Sequence, residues 1–412
     1  MTTTPAGAGI FAGIRVVEFG QYVAAPYAAE QFAHGGAEVV CVEPLRGTPT
    51  RHVGPRRGTD GTQFVVKARG KRSVALALGT EEGREAARRL CLDADVVISN
   101  LRPGAAERMG LDHETLRAEK PSLIYGEVDG FGEGAWSDRA CVDLVAQAHG
   151  GLIASTASTP SLEFDRQQLF CDYTAGTLLA FGVAAALFHR ERTGEGQRVA
   201  TSLVAAALVL QHRTASVMLD HDQAKLDLVD ARRAGLGFDE AFERRRRDAG
   251  VMPPTYGTFR TRDGWVAIGA IPSHFARFCD VVGVEGDGPD GRPAPDAVAS
   301  AIAERSSGEL VEALVDAGIP VAPVRFLEEV LLDPDSEAAG LVQRHEHPRL
   351  GTVVMPAPPV RFGAEAAFVA AEHTPLIGQH TADELRRLDY DDETIDRLVA
   401  DGIVVASSGE PG

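Results

Sequence analysis

The sequence predicts an α/β protein, with a Rossmann-like large domain built on a parallel sheet and a smaller α+β domain. In the first third of the chain, β-branched runs alternate with helix-forming runs, beginning with a βαβ unit over residues 14–19, 24–34 and 37–43. The length of 412 residues corresponds to two or three domains at roughly 150 residues each. A composition shift at residues 251–254 (VMPP) marks the start of a different topology.

The alternation continues beyond this first unit and predicts a parallel sheet covered by helices. Thr80 is a suitable N-cap for one of the helices, because Glu81 and Glu82 follow it in the first turn. The further predicted elements are strands over residues 73–78, 95–99 and 122–128, and short helices over residues 105–109 and 114–119.

Residues 174–189 are apolar on nearly all sides and rich in small side chains, which is typical of a helix buried on most faces. A charged helix, a second domain and a tail that packs back on the first domain are predicted after it. Their elements are a helix over 225–247, a hairpin over 256–268, helices near 274–282 and 297–317, an extended stretch over 356–360, and helices over 381–388 and 392–400. We therefore place residues 1–220 and 335–412 in the large domain, and residues 221–334 in the linkers and the small domain.

Charge and composition restrict the class of protein. The chain carries 41 Lys and Arg against 59 Asp and Glu, a net charge of −18, which disfavours nucleic-acid and anionic-membrane partners. Its five cysteines form no C-x-x-C pair, so neither a disulfide framework nor a zinc site is predicted. The first residues lack the features of a signal peptide, and no stretch reaches the roughly 18 to 20 apolar residues of a membrane span. We expect a soluble, cytoplasmic protein without membrane contact.

The common sequence motifs of nucleotide and metal chemistry do not fit this chain. Gly7-Ala8-Gly9 precedes the first strand instead of following it, and no P-loop, H-E-x-x-H or G-x-S-x-G occurs. His345-Glu346-His347 has a loop spacing without a third ligand, so we expect no metal site. The arginine run 244–247 is flanked by acidic residues and is interpreted as a solvated helix face.

Basic residues follow several predicted strands. Arg46 and Arg51 follow the second strand, and Arg102 follows the strand that ends at Ser99. Ligands of open parallel sheets bind beyond the carboxyl ends of the strands, so these arginines indicate a local anion site in an acidic protein. Isolated surface arginines are the alternative interpretation.

Asp172 lies directly before the apolar helix. One interpretation is an N-cap, in which the carboxylate accepts hydrogen bonds from backbone N–H groups of the first turn. The other is a nucleophile, because the helix dipole keeps the carboxylate ionised and the apolar helix keeps water scarce. Attack of such a carboxylate on an acyl thioester produces a mixed anhydride, and backbone N–H groups nearby stabilise the oxyanion that develops.

Several further motifs occur in a characteristic order. They are GIRVVEF (13–19), AP (25–26), GGAEV (35–39), VEP (42–44), GTPTR (47–51), KRS (71–73), NLRPG (100–104), GFG (130–132), RTGEGQ (192–197) and GIPVAPV (318–324). With these motifs the chain resembles, from end to end, the family III CoA-transferases, which include formyl-CoA transferases, carnitine CoA-transferases and α-methylacyl-CoA racemases. Asp172 matches the catalytic aspartate of that family.

The resemblance implies an assembly and a reaction. It implies two ring-shaped chains interlocked as a homodimer, and a CoA-transferase that moves CoA from an acyl-CoA donor to a carboxylic acid acceptor. The reaction passes through an aspartyl mixed anhydride and an aspartyl-CoA thioester on Asp172. Coenzyme A and acyl-CoA are substrates, and no tightly bound cofactor is implied. The residues that look like the family's CoA contacts are Gln21, Ala24, Arg46, Lys71, Asn100, Arg102, Ala105, Arg108 and Met109.

The chain departs from the family pattern at Ala68 and Gly70, where asparagines are usual, and at Leu101, where an aromatic residue is usual. An α-methylacyl-CoA racemase or epimerase is the first alternative, and it needs acid and base groups on both faces of the substrate. Racemases of the family carry a His-Asp pair where this chain has Val142-Asp143, which disfavours this alternative. A catalytically idle member that binds CoA is the second alternative.

Overall fold

In the computed structural model, residues 9–58, 60–162, 168–248, 253–288, 291–347, 349–361 and 374–407 are described. The chain divides into two compact units. The larger unit is formed by Met1–Met218 with Gly340–Gly412, and the smaller unit by Leu219–Ala339. The larger unit therefore takes both ends of the chain.

The first segment of the larger unit alternates strands with helices. Its strands are β1 (Arg15–Phe19), β2 (Glu38–Glu43), β3 (Arg56–Arg57), β4 (Asp60–Gly61), β5 (Lys71–Leu76), β6 (Val96–Ser99), β7 (Ile124–Asp129) and β8 (Arg198–Ser202). Its helices are α1 (Ala24–His34), α2 (Thr62–Ala68), α3 (Glu81–Asp93), α4 (Ala105–Met109), α5 (His113–Glu119), α6 (Asp143–His149), α7 (Leu152–Thr156), α8 (Phe170–Thr193) and α9 (Leu203–Leu210).

The smaller unit combines helices with a three-stranded antiparallel sheet. The strands are β9 (Tyr256–Arg260), β10 (Trp265–Gly269) and β11 (Val321–Pro323), with β10 in the middle. The helices are α10 (Gln223–Arg233), α11 (Phe238–Asp248), α12 (Phe275–Val282), α13 (Pro295–Ala303), α14 (Ser307–Asp316), α15 (Leu327–Leu331) and α16 (Pro334–Ala338). Val266, Phe278 and Leu310 lie in its own apolar core.

The returning segment adds five elements to the larger unit. They are the hairpin strands β12 (Val342–His347) and β13 (Gly351–Pro356), the helices α17 (Thr381–Arg387) and α18 (Asp392–Ala400), and the strand β14 (Val404–Val405). Two short 3-10 helices, Pro49–His52 and Pro272–His274, complete the described secondary structure of the chain.

A seven-stranded sheet in the order β14-β5-β2-β1-β6-β7-β8 forms the centre of the larger unit. Its neighbouring strands are parallel except β14, which is antiparallel to β5. β1 lies between β2 and β6, with Val16 opposite Val39 on one side and Val96 on the other. The strand order reverses between β1 and β6, and such a switch point opens a ligand crevice beyond the carboxyl ends of the strands.

Helices cover both faces of this sheet, and its central strands β1, β2 and β6 are therefore almost entirely buried. Successive residues of β1 point to opposite faces: Val16 lies in the core with α1, α8 and α9, and Val17 lies in the core with α3, α17 and α18. Leu385 and Leu398, from α17 and α18, lie in the second core. The prediction that the tail packs back on the first domain is therefore confirmed.

Helix α8 runs for 24 residues along the first core. Within the described residues, its length and composition alone would suffice to cross a membrane, which corrects the expectation that no stretch does. Seven of its residues are buried in the protein, including Leu179 and Val183. A Cβ atom on Gly176 would lie 2.6 Å from the carbonyl oxygen of Ala24 on α1. One face of α8 is therefore buried and packs closely against α1, and the expectation of a helix buried on most faces is wrong.

The predicted α/β class and the predicted parallel sheet are confirmed. Thr80 caps α3 as predicted, accepting a hydrogen bond of 3.1 Å from the Gly83 N–H. Two long predicted helices are each divided into two. Residues 235–237 (GLG) separate α10 from α11, and Ser306 acts as a new N-cap between α13 and α14. Glycine and a capping serine end the helical periodicity in these places.

Candidate active site

Asp172 is the third residue of α8 and lies in its first turn. The N-cap is Leu169, whose side chain cannot accept a hydrogen bond, so the N-cap interpretation of Asp172 is wrong. Within the described ranges, the Asp172 carboxylate has no hydrogen-bond or ion-pair partner, whereas the backbone N–H of the residue is bonded to Asp143. The carboxylate is therefore available for chemistry.

Asp143 supplies the cap that Leu169 cannot. The backbone N–H of Asp172 donates to Asp143 Oδ2 at 2.7 Å. Gln147 Nε2 donates to Asp143 Oδ1, and also to the Gln168 carbonyl oxygen at 2.9 Å. Asp143 and Gln147 are one turn apart on α6 and both are buried. Helix α6 therefore holds the first turn of α8 through a carboxylate from outside that helix.

Burial, and then the negative charge of Asp143, raise the pKa of Asp172 to about 7, while the positive charge of Lys67 acts in the opposite direction. The sequence predicts a carboxylate that the helix dipole keeps ionised, but burial and Asp143 outweigh that effect. Near neutral pH, Asp172 is therefore a mixture of acid and anion. A carboxylate with a raised pKa is a stronger nucleophile once it is ionised, and strongly shifted groups are typical of active sites.

We expect Asp143→Asn to make Asp172 more acidic. Asparagine keeps an oxygen that accepts the Asp172 N–H but lacks the negative charge that raises the pKa of Asp172. The acidic limb of the pH–rate profile should therefore move to lower pH by about one unit, a typical effect of removing a neighbouring like charge. The measurement is kcat/KM against pH with the best acyl-CoA donor.

Asp143→Ala is the matched control, because it removes the cap as well as the charge and should cost about 1 kcal/mol of stability. If the acidic limb stays in place in both variants, Asp143 acts only as a cap.

A cavity of about 310 Å³ opens beyond the carboxyl ends of four strands of the larger unit. Its lining includes Gln21 after β1, Leu45 after β2, Leu78 after β5 and Leu101 after β6. This is the switch point of the sheet, where the strand order reverses. A mostly apolar cavity with a few polar groups in this position is typical of a small-molecule site.

Gln21 and Asn100 tie the ends of β1 and β6 together beside this cavity. The Gln21 N–H donates to Asn100 Oδ1 at 2.7 Å, and Asn100 Nδ2 donates to the Gln21 carbonyl oxygen at 2.8 Å. The next residue, Tyr22, is exposed and has a φ of 61°, which is uncommon for a residue other than glycine. Such a backbone persists where its surroundings restrain it, and the Gln21–Asn100 pair provides that restraint.

Three of the predicted CoA contacts are exposed arginines. Arg46 and Arg102 each follow a residue that lines the cavity, and Arg108 lies on α4. None of the three has a carboxylate partner in the part of the chain that the structure describes, so their charges are open to a ligand. The other predicted contacts, besides Gln21, Asn100 and Lys71, are Ala24, buried at the start of α1, and Ala105 and Met109, half-buried on α4.

Two basic residues that were predicted to bind a ligand, Lys71 and Arg51, are instead buried in ion pairs within the protein. Lys71 Nζ donates to Glu18 Oε2 at 2.7 Å and to the Pro26 carbonyl oxygen at 2.8 Å. Arg51 is 0% exposed and pairs with Glu43 at 2.7 Å. The prediction that Arg51 belongs to an anion site is wrong, because its charge is already neutralised inside the protein.

Lys67 is a charged neighbour of Asp172 that the sequence analysis did not single out. It lies on α2 among apolar residues (TQFVVKA), and this interruption of an apolar run is the one signal the sequence offers. The charges of Lys67 and Asp172 act on each other. Tyr173 is a second such neighbour, and its ring contacts Tyr27 of α1 edge-on, with the ring centres 5.0 Å apart.

The His345-Glu346-His347 segment is a strand and not the predicted loop. It lies on β12, where residues two positions apart share a face, and both histidines are buried. Within the described residues, no group of three or more His, Cys, Asp or Glu side chains is arranged to hold a metal ion.

Comparison with known proteins agrees with this geometry. The model of the family described as CoA-transferase family III matches residues 11–381. A succinyl-CoA:glutarate CoA-transferase from Homo sapiens is 28% identical over 95% of this chain and 89% of that protein. A formyl-CoA:oxalate CoA-transferase from Escherichia coli is 30% identical over 93% of this chain and 96% of that protein. The crystal structure of a CAIB/BAIF family protein from Brucella suis superposes with a TM-score of 0.73 at 26% identity, over 93% of this chain and all of the other.

The fold, the crevice at the switch point and these matches define an enzyme that transfers CoA. The chain belongs to CoA-transferase family III, since the family model covers most of it. The resemblance drawn from the sequence motifs is confirmed, and CoA thioesters are the class of substrate that the family implies.

Proposed function

We propose that this enzyme moves CoA from an acyl-CoA donor to a carboxylic acid acceptor through covalent intermediates on Asp172. The observation that carries the proposal is a carboxylate in the first turn of α8 that lacks a partner among the described residues and has its pKa raised to about 7. Such a group combines a substantial fraction of anion at neutral pH with more nucleophilic power than an exposed aspartate.

The proposed reaction needs no net proton transfer. An Asp172 oxygen attacks the thioester carbonyl carbon, the C–S bond breaks, and CoA leaves as a thiolate from a mixed anhydride. The thiolate attacks the aspartyl carbonyl carbon and releases the donor acid as a carboxylate, which leaves an aspartyl-CoA thioester. The acceptor carboxylate then attacks that thioester and displaces the thiolate. The thiolate finally attacks the acceptor carbonyl carbon of the new anhydride, forming the product acyl-CoA and regenerating Asp172.

In this proposal the cavity beyond the strand ends receives part of the CoA molecule, and Gln21 and Asn100 shape its edge. Arg46, Arg102 and Arg108 supply the positive charge that CoA phosphates need, because guanidinium groups bind phosphate oxygens in a bidentate manner. A protein with a net charge of −18 requires such a local excess of positive charge to attract an anionic substrate. Lys71 is buried in its ion pair with Glu18, so its charge is neutralised within the protein and it supplies no free charge to the phosphates.

We expect Arg102→Ala to raise the KM for acyl-CoA roughly ten- to a hundredfold with little change in kcat, since a lost charge-assisted hydrogen bond costs about 1.5–3 kcal/mol. Steady-state kinetics over a range of acyl-CoA concentrations measures both constants. Arg117→Ala is the matched control, because Arg117 is exposed on α5, away from the strand ends. An unchanged KM in Arg102→Ala removes this residue from the site.

We also propose the interlocked homodimer that the family resemblance implies. Phe181 and Phe188 of α8 are 74% and 67% exposed, and residues 208–210 (LVL) at the end of α9 are exposed as well. Apolar side chains exposed on this scale are typical of an interface.

The five cysteines are free, which supports a reducing, cytoplasmic location.

The test of the proposed function is mass spectrometry of acyl-CoAs and free carboxylic acids incubated with the enzyme in deuterated water. The two named relatives act on succinyl, glutarate, formyl and oxalate groups, so small mono- and dicarboxylic acids come first in the panel. New acyl-CoA species that require Asp172 support the transferase. One deuteron gained without exchange supports the racemase, and CoA binding without either reaction supports an idle member.

A further inference from the structure

Tyr22 is an aromatic residue in a strained backbone conformation, directly after a residue that lines the cavity. Its φ of 61° lies in the left-handed region, which bulky side chains rarely adopt because Cβ then crowds the following carbonyl oxygen. Leu162 and Asp389 are the only other non-glycine residues with a positive φ in the described part of the chain. Tyrosine therefore occupies a position at which glycine would be less strained.

The neighbours of Tyr22 fix the path of the chain on both sides of it. Gly20 is packed so closely that an added Cβ would lie 2.8 Å from the Pro26 ring. Gln21 is held to Asn100 by two hydrogen bonds, of 2.7 and 2.8 Å. On the other side of Tyr22, helix α1 begins two residues later. The strained conformation is therefore imposed by the surrounding structure, as such a conformation requires.

The side chain of Tyr22 gains little from the protein in return for this strain. It is 54% exposed, and within the described residues it makes no hydrogen bond and no contact with another aromatic ring. Tyr27, on the following helix, is half-buried, and its ring packs against Tyr173. The ring of Tyr22 is thus held in place by its backbone and is open to contact another molecule.

Tyr22 lies between the cavity and the helix that carries Asp172. Gln21, the residue before it, lines the cavity. Ala24, two residues after it, contacts α8 at Gly176, where an added Cβ would lie 2.6 Å from the Ala24 carbonyl oxygen. Gly176 is four residues after Asp172, and residues four apart share one face of a helix. The segment from cavity to helix spans at most roughly 10 Å, with Tyr22 inside it.

We propose that the Tyr22 ring packs against the pantetheine arm of the bound CoA thioester. A substrate with part of its CoA in the cavity and its thioester at Asp172 must pass this segment, so the arm crosses Tyr22. The inference deepens the proposed function and rests on it for the position of the thioester. The arm consists of methylene and amide groups, which the apolar face of an aromatic ring covers well. The alternative occupant is a second copy of the chain, and the test distinguishes the two.

The test measures the binding of two ligands to Tyr22→Gly by titration calorimetry. The first ligand is CoA, and the second is adenosine 3′,5′-bisphosphate, a fragment of CoA without the pantetheine arm. We expect the Kd for CoA to rise about tenfold, the size of effect that one lost aromatic contact produces. The Kd for the fragment should not change, because the fragment has no arm to contact the ring. Neither ligand is an acyl donor, so no reaction disturbs the titration.

Two further variants separate the ring from the backbone and from the hydroxyl group. Tyr22→Asn removes the ring but not the backbone conformation, because asparagine adopts the left-handed region more readily than other residues with a side chain. It should lose as much affinity for CoA as Tyr22→Gly. Tyr22→Phe keeps the ring and should bind CoA as the unmodified protein does.

Asp389→Gly is the matched control. Asp389 has a φ of 65°, is exposed and follows α17, and it is not among the residues that line the cavity. Replacing it by glycine relieves the same kind of strain and should leave the affinity for CoA unchanged. The melting temperature of Tyr22→Gly should change by no more than about 2 °C, since the strain relieved offsets the packing lost.

The outcome separates this inference from the proposed function. Weaker binding of CoA, but not of the fragment, in Tyr22→Gly and Tyr22→Asn supports the contact, whether or not any CoA exchange has been found. An unchanged Kd for CoA overturns it, even if Asp172 proves to be the nucleophile. Equal losses for both ligands also overturn it, because the substitution has then altered the cavity. An unchanged Kd with a smaller assembly in light scattering assigns the ring to a contact between copies of the chain.

Discussion

Replacing Asp172 by alanine is expected to reduce CoA exchange by roughly a thousandfold or more, since no other residue can form the two covalent intermediates. Most of the affinity for CoA should remain, because the predicted CoA contacts lie in other parts of the larger unit. The fold should also remain. The Asp172 carboxylate makes no hydrogen bond among the described residues, so its removal breaks no network, and the cap from Asp143 uses only the backbone N–H.

Three measurements check this expectation. Exchange between acyl-CoA and free acid gives the rate, and titration calorimetry gives the affinity for CoA. Mass spectrometry of the peptide that contains Asp172 detects the CoA thioester after a brief incubation with donor. Asp172→Asn is the matched control, because it keeps the size of the side chain and loses only the nucleophilic oxygen. Near-normal exchange in both variants would falsify the covalent mechanism on Asp172.

Replacing Arg51 by methionine is expected to destabilise the larger unit by about 3–5 kcal/mol, which is the usual cost of breaking a buried ion pair from one side. The Arg51 guanidinium donates to both Glu43 oxygens at 2.7 Å, to Asp60 at 3.1 Å and to the Pro375 carbonyl oxygen at 3.0 Å. It also lies over the Phe64 ring, 3.6 Å from its centre. Without Arg51, two carboxylates remain buried with less compensation, and the tie to the returning segment is lost.

Chemical denaturation of the unmodified protein and of Arg51→Met measures this loss. Arg56→Met is the matched control, since Arg56 is exposed a few residues away on β3 and should change stability by no more than about 0.5 kcal/mol. A loss below about 1 kcal/mol in Arg51→Met would mean that water or rearranged partners replace the guanidinium. Glu43 is where such a change would occur, because the Ser73 hydroxyl and the Thr48 N–H also donate to it.

Local patterns predicted much of the fold. The strands and helices of the first βαβ unit, the cap at Thr80 and the helix over residues 392–400 depend on neighbours within a few positions, so periodicity and capping rules find them. Strands β8 and β14 were missed. β8 is short and has one buried residue, and β14 has two residues. Each is a strand because it pairs with a strand that is distant in the sequence, β7 for β8 and β5 for β14. Pairing over such a distance leaves little trace in local sequence.

The candidate site, like the fold, could be predicted from the sequence only in part. The order of motifs predicted the family and singled out Asp172, since these motifs are read from the sequence alone. The sequence could not show that Asp143 caps α8 from 29 positions away, or that Lys67 adds its charge from α2. It also placed Arg51 at an anion site, although folding buries that side chain between Glu43 and Asp60.

By itself the sequence determined the class of fold and the family, and it singled out Asp172 as the proposed nucleophile, because these inferences depend on residue types and their spacing. Only the tertiary structure decided the state of that carboxylate. Its pKa depends on burial and on the charges of residues from separate elements, and Coulomb interactions act across space without regard to distance along the chain. For the same reason, only folding distinguished arginines with free charges, such as Arg46 and Arg102, from one that is neutralised inside the protein.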